Sequence, residues 1–345
     1  MSKQFIDKIV TTLPPVESST EPKDVWIRAY NASAEGHVHQ AVLFLKPEVL
    51  DFSDGVNVEA ILQIVFEALS RFHVEVGAIR ILNAQYLGKF GLMDRHYGVI
   101  NKISREGRSA ISETAEGNLQ KHFSKELAEG ATVLGGHQFL ERFPQVSPFA
   151  LNLLSDNLGT TKLAGGTYCV KVSVLGSVFL ILNPFHPFQL QHFTDPGRAI
   201  VVMEIRTNTP WRVLRESLTG ATNPLKAAEG SIRRTFLERQ NELHLREVSQ
   251  GANGIHVSAG PLEGMVEIQR FFDDRSTAPM TLSATSFGQR LLKASLPEST
   301  LDTLATNPSF ERDGKLISAF DATEECDAVP AAEKLMDFAS AISPR

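Results

Sequence analysis

Two cysteines, Cys169 and Cys326, are all that a chain of 345 residues carries. So few, so far apart, cannot make a disulfide framework or a cysteine-based metal set, and they fit a reducing compartment. Long apolar runs are lacking too. Val178 to Leu182 is typical of the longest, far below the roughly 20 residues that a membrane helix needs. The first residues, MSKQFIDKIVTTLPP, have no extended apolar centre of the kind a secretory signal carries. A soluble, cytoplasmic protein with no membrane partner is therefore expected. Positive charge is not in excess: 34 Lys and Arg face 40 Asp and Glu, for a net charge of -6. That argues against broad binding to nucleic acid and still allows a local basic pocket. The histidines His37, His39, His186 and His192 come with no cysteine cluster and no H-E-x-x-H pattern, so no protein-held metal is expected. Gly135-Gly136 and Gly165-Gly166 are not followed by G-K-[ST], which excludes a P-loop.

What is present is globular: 42% hydrophobic and 21% charged residues, enough for one large domain or two ordinary ones. Residues 1–37 read as an N-terminal extension, because Pro14, Pro15 and a Ser/Thr/Glu cluster interrupt any regular element. Ala41 to Leu45 reads as a strand ended by Lys46-Pro47. Val58, Ile61, Leu62, Val65, Phe66 and Leu69 fall at helical spacing. Val74 to Leu82 is a second strand and Tyr86 to Tyr97 a helix. Then come a polar helical part from Ser104 to Gly130 and a loop-rich part from Gly135 to Gly166. A hairpin follows, Thr167 to Val174 and Val178 to Leu182 around Leu175-Gly176-Ser177. Ala199 to Ile205 is a third strand, Pro210 to Leu218 a helix and Gly254 to Val257 a fourth strand. Pro261 to Phe272 is a helix with proline in its first turn. Residues 276–345 show no evident chemistry and read as a C-terminal extension. Periodicity alone supports a mixed α and β domain.

Short motifs stand in order along the chain: Leu45-Lys46-Pro47-Glu48-Val49, Gly220-Ala221-Thr222-Asn223-Pro224, Gly230-Ser231-Ile232-Arg233, and Asn253-Gly254-Ile255-His256-Val257-Ser258 followed by Glu267. Together they resemble the nucleoside diphosphate kinase family, whose pattern runs K-P-D-G-V, G-x-T-N-P, P-G-T-I-R-G-D, R-N-x-x-H-G-S-D-S and then a glutamate. The resemblance covers roughly residues 40–100 and 184–275. It implies an α+β fold, a ferredoxin-like core with a four-stranded antiparallel sheet and flanking helices. The domain would span 38–275, with an inserted subdomain at about 101–183. It also implies a nucleoside-diphosphate kinase activity: a γ-phosphate passes from a nucleoside triphosphate to a nucleoside diphosphate through a phosphohistidine, with Mg2+.

On that resemblance His256 matches the nucleophile, Glu267 the glutamate that fixes its tautomer, and Lys46 the lysine that reaches the terminal phosphate. Thr222, Arg233, Asn253 and Ser258 match nucleotide and phosphate contacts. Tyr97 fits an H-Y dipeptide near the site, and Phe188, with Phe185 as competitor, the aromatic that stacks on the base. A second arginine belongs four residues before Gly220. Glu216 stands there, so Arg215 is preferred, with Arg212 one turn away. Val257-Ser258-Ala259-Gly260 replaces G-S-D-S and Arg233-Arg234-Thr235 replaces R-G-D, which puts the family's usual assembly in doubt and leaves a homo-oligomer open. The alternative is a non-catalytic nucleotide-binding regulatory or interaction module.

Overall fold

The structure is a computed structural model and describes residues 2–32, 36–275, 279–312 and 315–342. Among these the strands are β1 (Asp24–Arg28), β2 (His39–Leu45), β3 (Glu75–Asn83), β4 (Thr132–Gly135), β5 (Thr161–Ala164), β6 (Thr167–Val174), β7 (Ser177–Leu182), β8 (Ala199–Thr207), β9 (Ile255–Val257), β10 (Ser309–Arg312) and β11 (Lys315–Ser318). The chain divides into two compact units, 1–86 with 196–345, and 87–195.

The first unit is built on a five-stranded antiparallel sheet in the order β1-β3-β8-β2-β9. Strand β2, HQAVLFL, is buried at every position. A strand covered on both faces loses polar alternation, which is why this stretch reads as a plain apolar run. On one face Leu43, Leu45, Ile79, Ile81, Val201 and Met203 join a core with the helix Val58–Arg71. Asn57 caps that helix by accepting the Ala60 N–H. On the other face Phe44 meets Phe271 of the helix Pro261–Phe272, with ring centroids 5.7 Å apart.

Several expectations need correction. The resemblance implies four strands in this sheet; among the described residues there are five, because β1 also pairs with β3. Residues 1–37 are not without regular structure: Ser2–Glu17 is a helix with Pro14 and Pro15 inside it. An interior proline costs about 3 kcal/mol. Ile6, Ile9, Leu13 and Val16 are buried at helical spacing along this helix, and each offsets that by about 1.5–3 kcal/mol. The expected helix Tyr86 to Tyr97 is two short helices, Ala84–Lys89 and Leu92–His96. Buried residues also occur within 279–312 and 315–342. Leu291, Leu301, Leu304, Leu335 and Phe338 form one buried cluster with Leu262, Met265 and Val266 of the helix Pro261–Phe272.

The second unit carries a four-stranded sheet in the order β4-β7-β6-β5, with β4 and β7 parallel. Its hairpin turns at Leu175-Gly176, where both residues take positive φ, the geometry that matches strand twist. Side chains alternate across β7: Leu180 and Leu182 join one apolar cluster, Phe179 and Ile181 the other. The region expected as loop-rich, Gly135 to Gly166, holds the helices Gly136–Arg142 and Pro148–Leu158. The signal was present: Ser147 caps the second by accepting the Ala150 N–H, and Pro148 occupies its first turn. Both cysteines are free. Among the described residues no helix is long and apolar enough to cross a membrane.

Candidate functional site

Strand β9 lies at the end of the sheet and, among the described residues, pairs only with β2 there. Flanking backbone bonds run from Lys46 N–H to Gly254 O and from Ser258 N–H to Val42 O, each 3.0 Å. Antiparallel pairing alternates, so the Ile255 carbonyl points off the sheet, and Arg233 Nη2 donates to it at 2.8 Å. Ile255 and Val257 join the sheet's larger core. His256, between them, leaves by the opposite face and stacks on Phe44 with ring centroids 4.5 Å apart.

The His256 ring is fixed by a relay. Its Nε2 lies 2.9 Å from Glu267 Oε1, and Glu267 is fully buried. Glu267 Oε2 accepts the Ser258 hydroxyl at 2.5 Å. The same hydroxyl oxygen accepts the Val42 N–H at 2.9 Å, which ties the relay to β2. A carboxylate facing Nε2 favours the tautomer with its proton there, and the basic lone pair then sits on Nδ1. Glu263 stands one turn before Glu267 on the same helix. Burial, then the charge of Glu267, pushes its carboxyl well above the ordinary range.

Cations gather beside this strand. Lys46 Nζ donates to Asn253 Oδ1 at 2.8 Å, and Asn253 Nδ2 donates to the Thr222 carbonyl at 3.2 Å. Arg233 Nη1 donates to Gly220 O at 2.8 Å, while its buried Nε has no partner among the described residues. Burial lowers the Lys46 amine; the charge of Glu48 opposes this and that of Arg233 adds to it. Burial, then the charge of Arg215, lowers Arg233 to about 10. Groups held in this way favour a ligand that brings negative charge. Arg215 rides on a π-helical turn, Leu214–Thr219, a widened geometry often found at functional sites. A cavity of about 450 Å³ opens here, walled by Arg215, Thr222, Lys226, Arg233, Val257 and Glu325 among others.

The first unit thus holds two groups of the residues singled out in the sequence. His256, Ser258 and Glu267 form the relay. Lys46, Asn253 and Thr222 form a chain of hydrogen bonds, and Thr222, Arg215 and Arg233 share the cavity wall. Arg212 instead pairs with Glu216 on the exposed side of its helix. Tyr97 and Phe188 belong to the second unit. Tyr97 is half-buried, its ring 5.9 Å from His186 and 6.0 Å from Phe193. Phe188 packs 5.3 Å from Phe149, and its competitor Phe185 lies 5.7 Å from Tyr168. Three further residues, Glu263, Glu324 and Glu325, were not singled out in the sequence. Helical spacing from Glu267 was a signal for the first. Nothing local marked the other two, which come from the far end of the chain. Arg215 Nη2 is 3.1 Å from Glu324 Oε1, and its Nε 3.8 Å from Glu325 Oε1.

No family model matches the chain. A stretch of 93 residues is 34% identical to a nucleoside diphosphate kinase from Methylobacterium nodulans, a distant and partial relationship. The stretch is 27% of this chain and spans 57% of that relative's length. Among solved structures, an NDP kinase from Pyrobaculum aerophilum is similar at 18% identity and a TM-score of 0.31, over 69% of this chain and 97% of its own. A nucleoside-diphosphate kinase from Borrelia burgdorferi, solved with vanadate and ADP, is similar at 15% identity and the same TM-score of 0.31, over 70% and 92%. At that TM-score neither alignment bears on the fold.

Proposed function

We propose that this protein is a nucleoside diphosphate kinase-like phosphotransferase acting through phospho-His256. One observation carries the reading: a histidine pinned at Nε2 by a buried glutamate sits on the same edge strand that Arg233 caps beside a cationic cavity. In the first half-reaction the Nδ1 lone pair attacks the γ-phosphorus of a nucleoside triphosphate. An N–P bond forms, the bond to the bridging oxygen breaks, and its electrons leave with the diphosphate. Glu267 offsets the positive charge that the ring gains. In the second, a terminal phosphate oxygen of the acceptor nucleoside diphosphate attacks phosphorus, and the N–P electrons return to the ring.

Lys46, Arg215, Arg233, Thr222 and Asn253 are the groups proposed to hold phosphate oxygens, the arginines by paired N–H donors. Tyr97 and Phe188 enter as candidate nucleotide contacts on sequence grounds. Among the described residues the cavity wall is richer in cations than in carboxylates and offers no oxygen cage for Mg2+. The ion fits this site as one bound through the nucleotide's own phosphates, where it offsets their charge. The four strands β3-β8-β2-β9 are read as a ferredoxin-like core to which β1 is added.

Incubation with ATP and Mg2+, followed by intact mass and a chase with GDP or CDP, tests this. One acid-labile phosphate is expected on the wild type, absent from His256→Ala and discharged as GTP or CTP. Binding of ATP without phosphorylation would sink it. That result would favour the second reading, a non-catalytic nucleotide-binding module, which has one observation behind it: Arg215 is already paired with two carboxylates.

A further inference from the structure

The carboxylates facing Arg215 come from a turn that follows the helix Ala319–Thr323. Glu325 takes φ 55° there, a left-handed conformation uncommon for a residue with a Cβ. The turn is anchored at several points. The Glu325 N–H donates to Ala259 O at 2.8 Å, just beyond His256 in the chain. Asp327 Oδ1 accepts the Trp211 N–H at 2.7 Å and lies 3.3 Å from His39 Nε2. Lys334 Nζ donates to Ala322 O at 3.0 Å. Thr323 O approaches Gly260 so closely that a Cβ there would sit 2.4 Å from it. These contacts fix the backbone from which Glu324 and Glu325 project. Both side chains are exposed, so their pairing with Arg215 contributes little to stability. A residue in an uncommon backbone conformation whose side chain contributes little to stability points to a role for that side chain in the site it faces.

We propose that Glu324 and Glu325 are specificity residues of the cavity. They engage Arg215 as built-in anions, so an incoming polyphosphate must compete for that guanidinium. Ligands with fewer negative charges at that wall are penalised less. Because Glu325 itself lines the cavity, the competition takes place inside the space that the ligand enters. The inference rests on reading the cavity as a phosphate site, and it names what limits that site's affinity.

Calorimetric titration of the full chain with inorganic tripolyphosphate and with orthophosphate tests it. The proteins are the wild type, E324Q/E325Q, R215Q and the triple variant. Glutamine keeps the shape of each exposed side chain, so the fold is retained. The double variant is expected to bind tripolyphosphate about five-fold more tightly, from two exposed pairs of ordinary strength, with a smaller gain for orthophosphate. In the R215Q background the same two substitutions are expected to change little. Unchanged or weaker binding by the double variant overturns the proposal. So does equal tightening with and without Arg215, which would mark a general charge effect. Absence of tripolyphosphate binding in all four proteins overturns it together with the phosphate assignment. Repeating the titrations in His256→Ala separates the two readings, since binding needs no phosphoryl transfer. A positive result there stands even if no phosphohistidine forms.

Discussion

Lys46 and Arg233 carry charge where burial disfavours it, and Arg233 is lowered to about 10. An unfolded lysine or arginine keeps its ordinary, higher pKa. Between the lowered and ordinary values the unfolded chain therefore holds more protons, and stability rises with pH through that window. A bound polyphosphate acts in the opposite sense, because it favours the charged forms. Tripolyphosphate is thus expected to raise Tm at neutral pH, with an effect that fades as pH passes about 10; scanning calorimetry across pH reads this directly. Lys46→Met leaves the buried Asn253 Oδ1 without its donor and should cost about 1–3 kcal/mol without ligand, and it should also weaken the tripolyphosphate response. An unchanged tripolyphosphate response would show that Lys46 is chiefly structural. Glu267→Gln removes the carboxylate that offsets charge on His256. Phosphohistidine formation is expected to slow on the order of 100-fold, measured by single-turnover mass spectrometry, with little change in tripolyphosphate affinity.

The elements that bring these side chains together are short, and close approach shapes them. Gly254 lies between Asn253 and His256 with φ 75°, and a Cβ there would sit 2.7 Å from Val49 Cγ1. Gly254→Ala is therefore expected to cost about 1–3 kcal/mol and to displace the start of β9. Lower Tm together with lost phosphorylation would be the sign. Full activity at native Tm would mean that the strand tolerates the shift. This element was legible in the sequence because its glycine, histidine and serine stand in a short recognisable string. The helix Ser2–Glu17 was not. Local rules give Pro14 and Pro15 the decisive weight, and only burial of Ile9, Leu13 and Val16 against the sheet reverses the balance.

At the scale of the molecule, Leu291, Leu301, Leu304, Leu335 and Phe338 complete the packing of the helix that carries Glu267. Deleting 279–345 would expose Leu262, Met265 and Val266, which the C-terminal cluster now covers. At about 1.5–3 kcal/mol for each large side chain, that loss is comparable with the roughly 5–15 kcal/mol that holds a typical domain together. The truncated chain is expected to be insoluble or loosely packed, seen as dye binding and a broadened thermal transition. A cooperative transition near the native Tm would show that the helix stands without this cover.

The sequence by itself determined the apolar strands, the helix Val58–Arg71, the hairpin around Leu175-Gly176 and the ordered polar motifs from Lys46 to Glu267. Each is written locally, as a periodicity or a short string. Tertiary structure alone decided the fifth strand, the pairing of Arg215 with Glu324 and Glu325, and the burial that lowers Lys46 and Arg233. Those depend on chain segments far apart in sequence meeting in a medium that solvates charge poorly, and no local pattern encodes such a meeting.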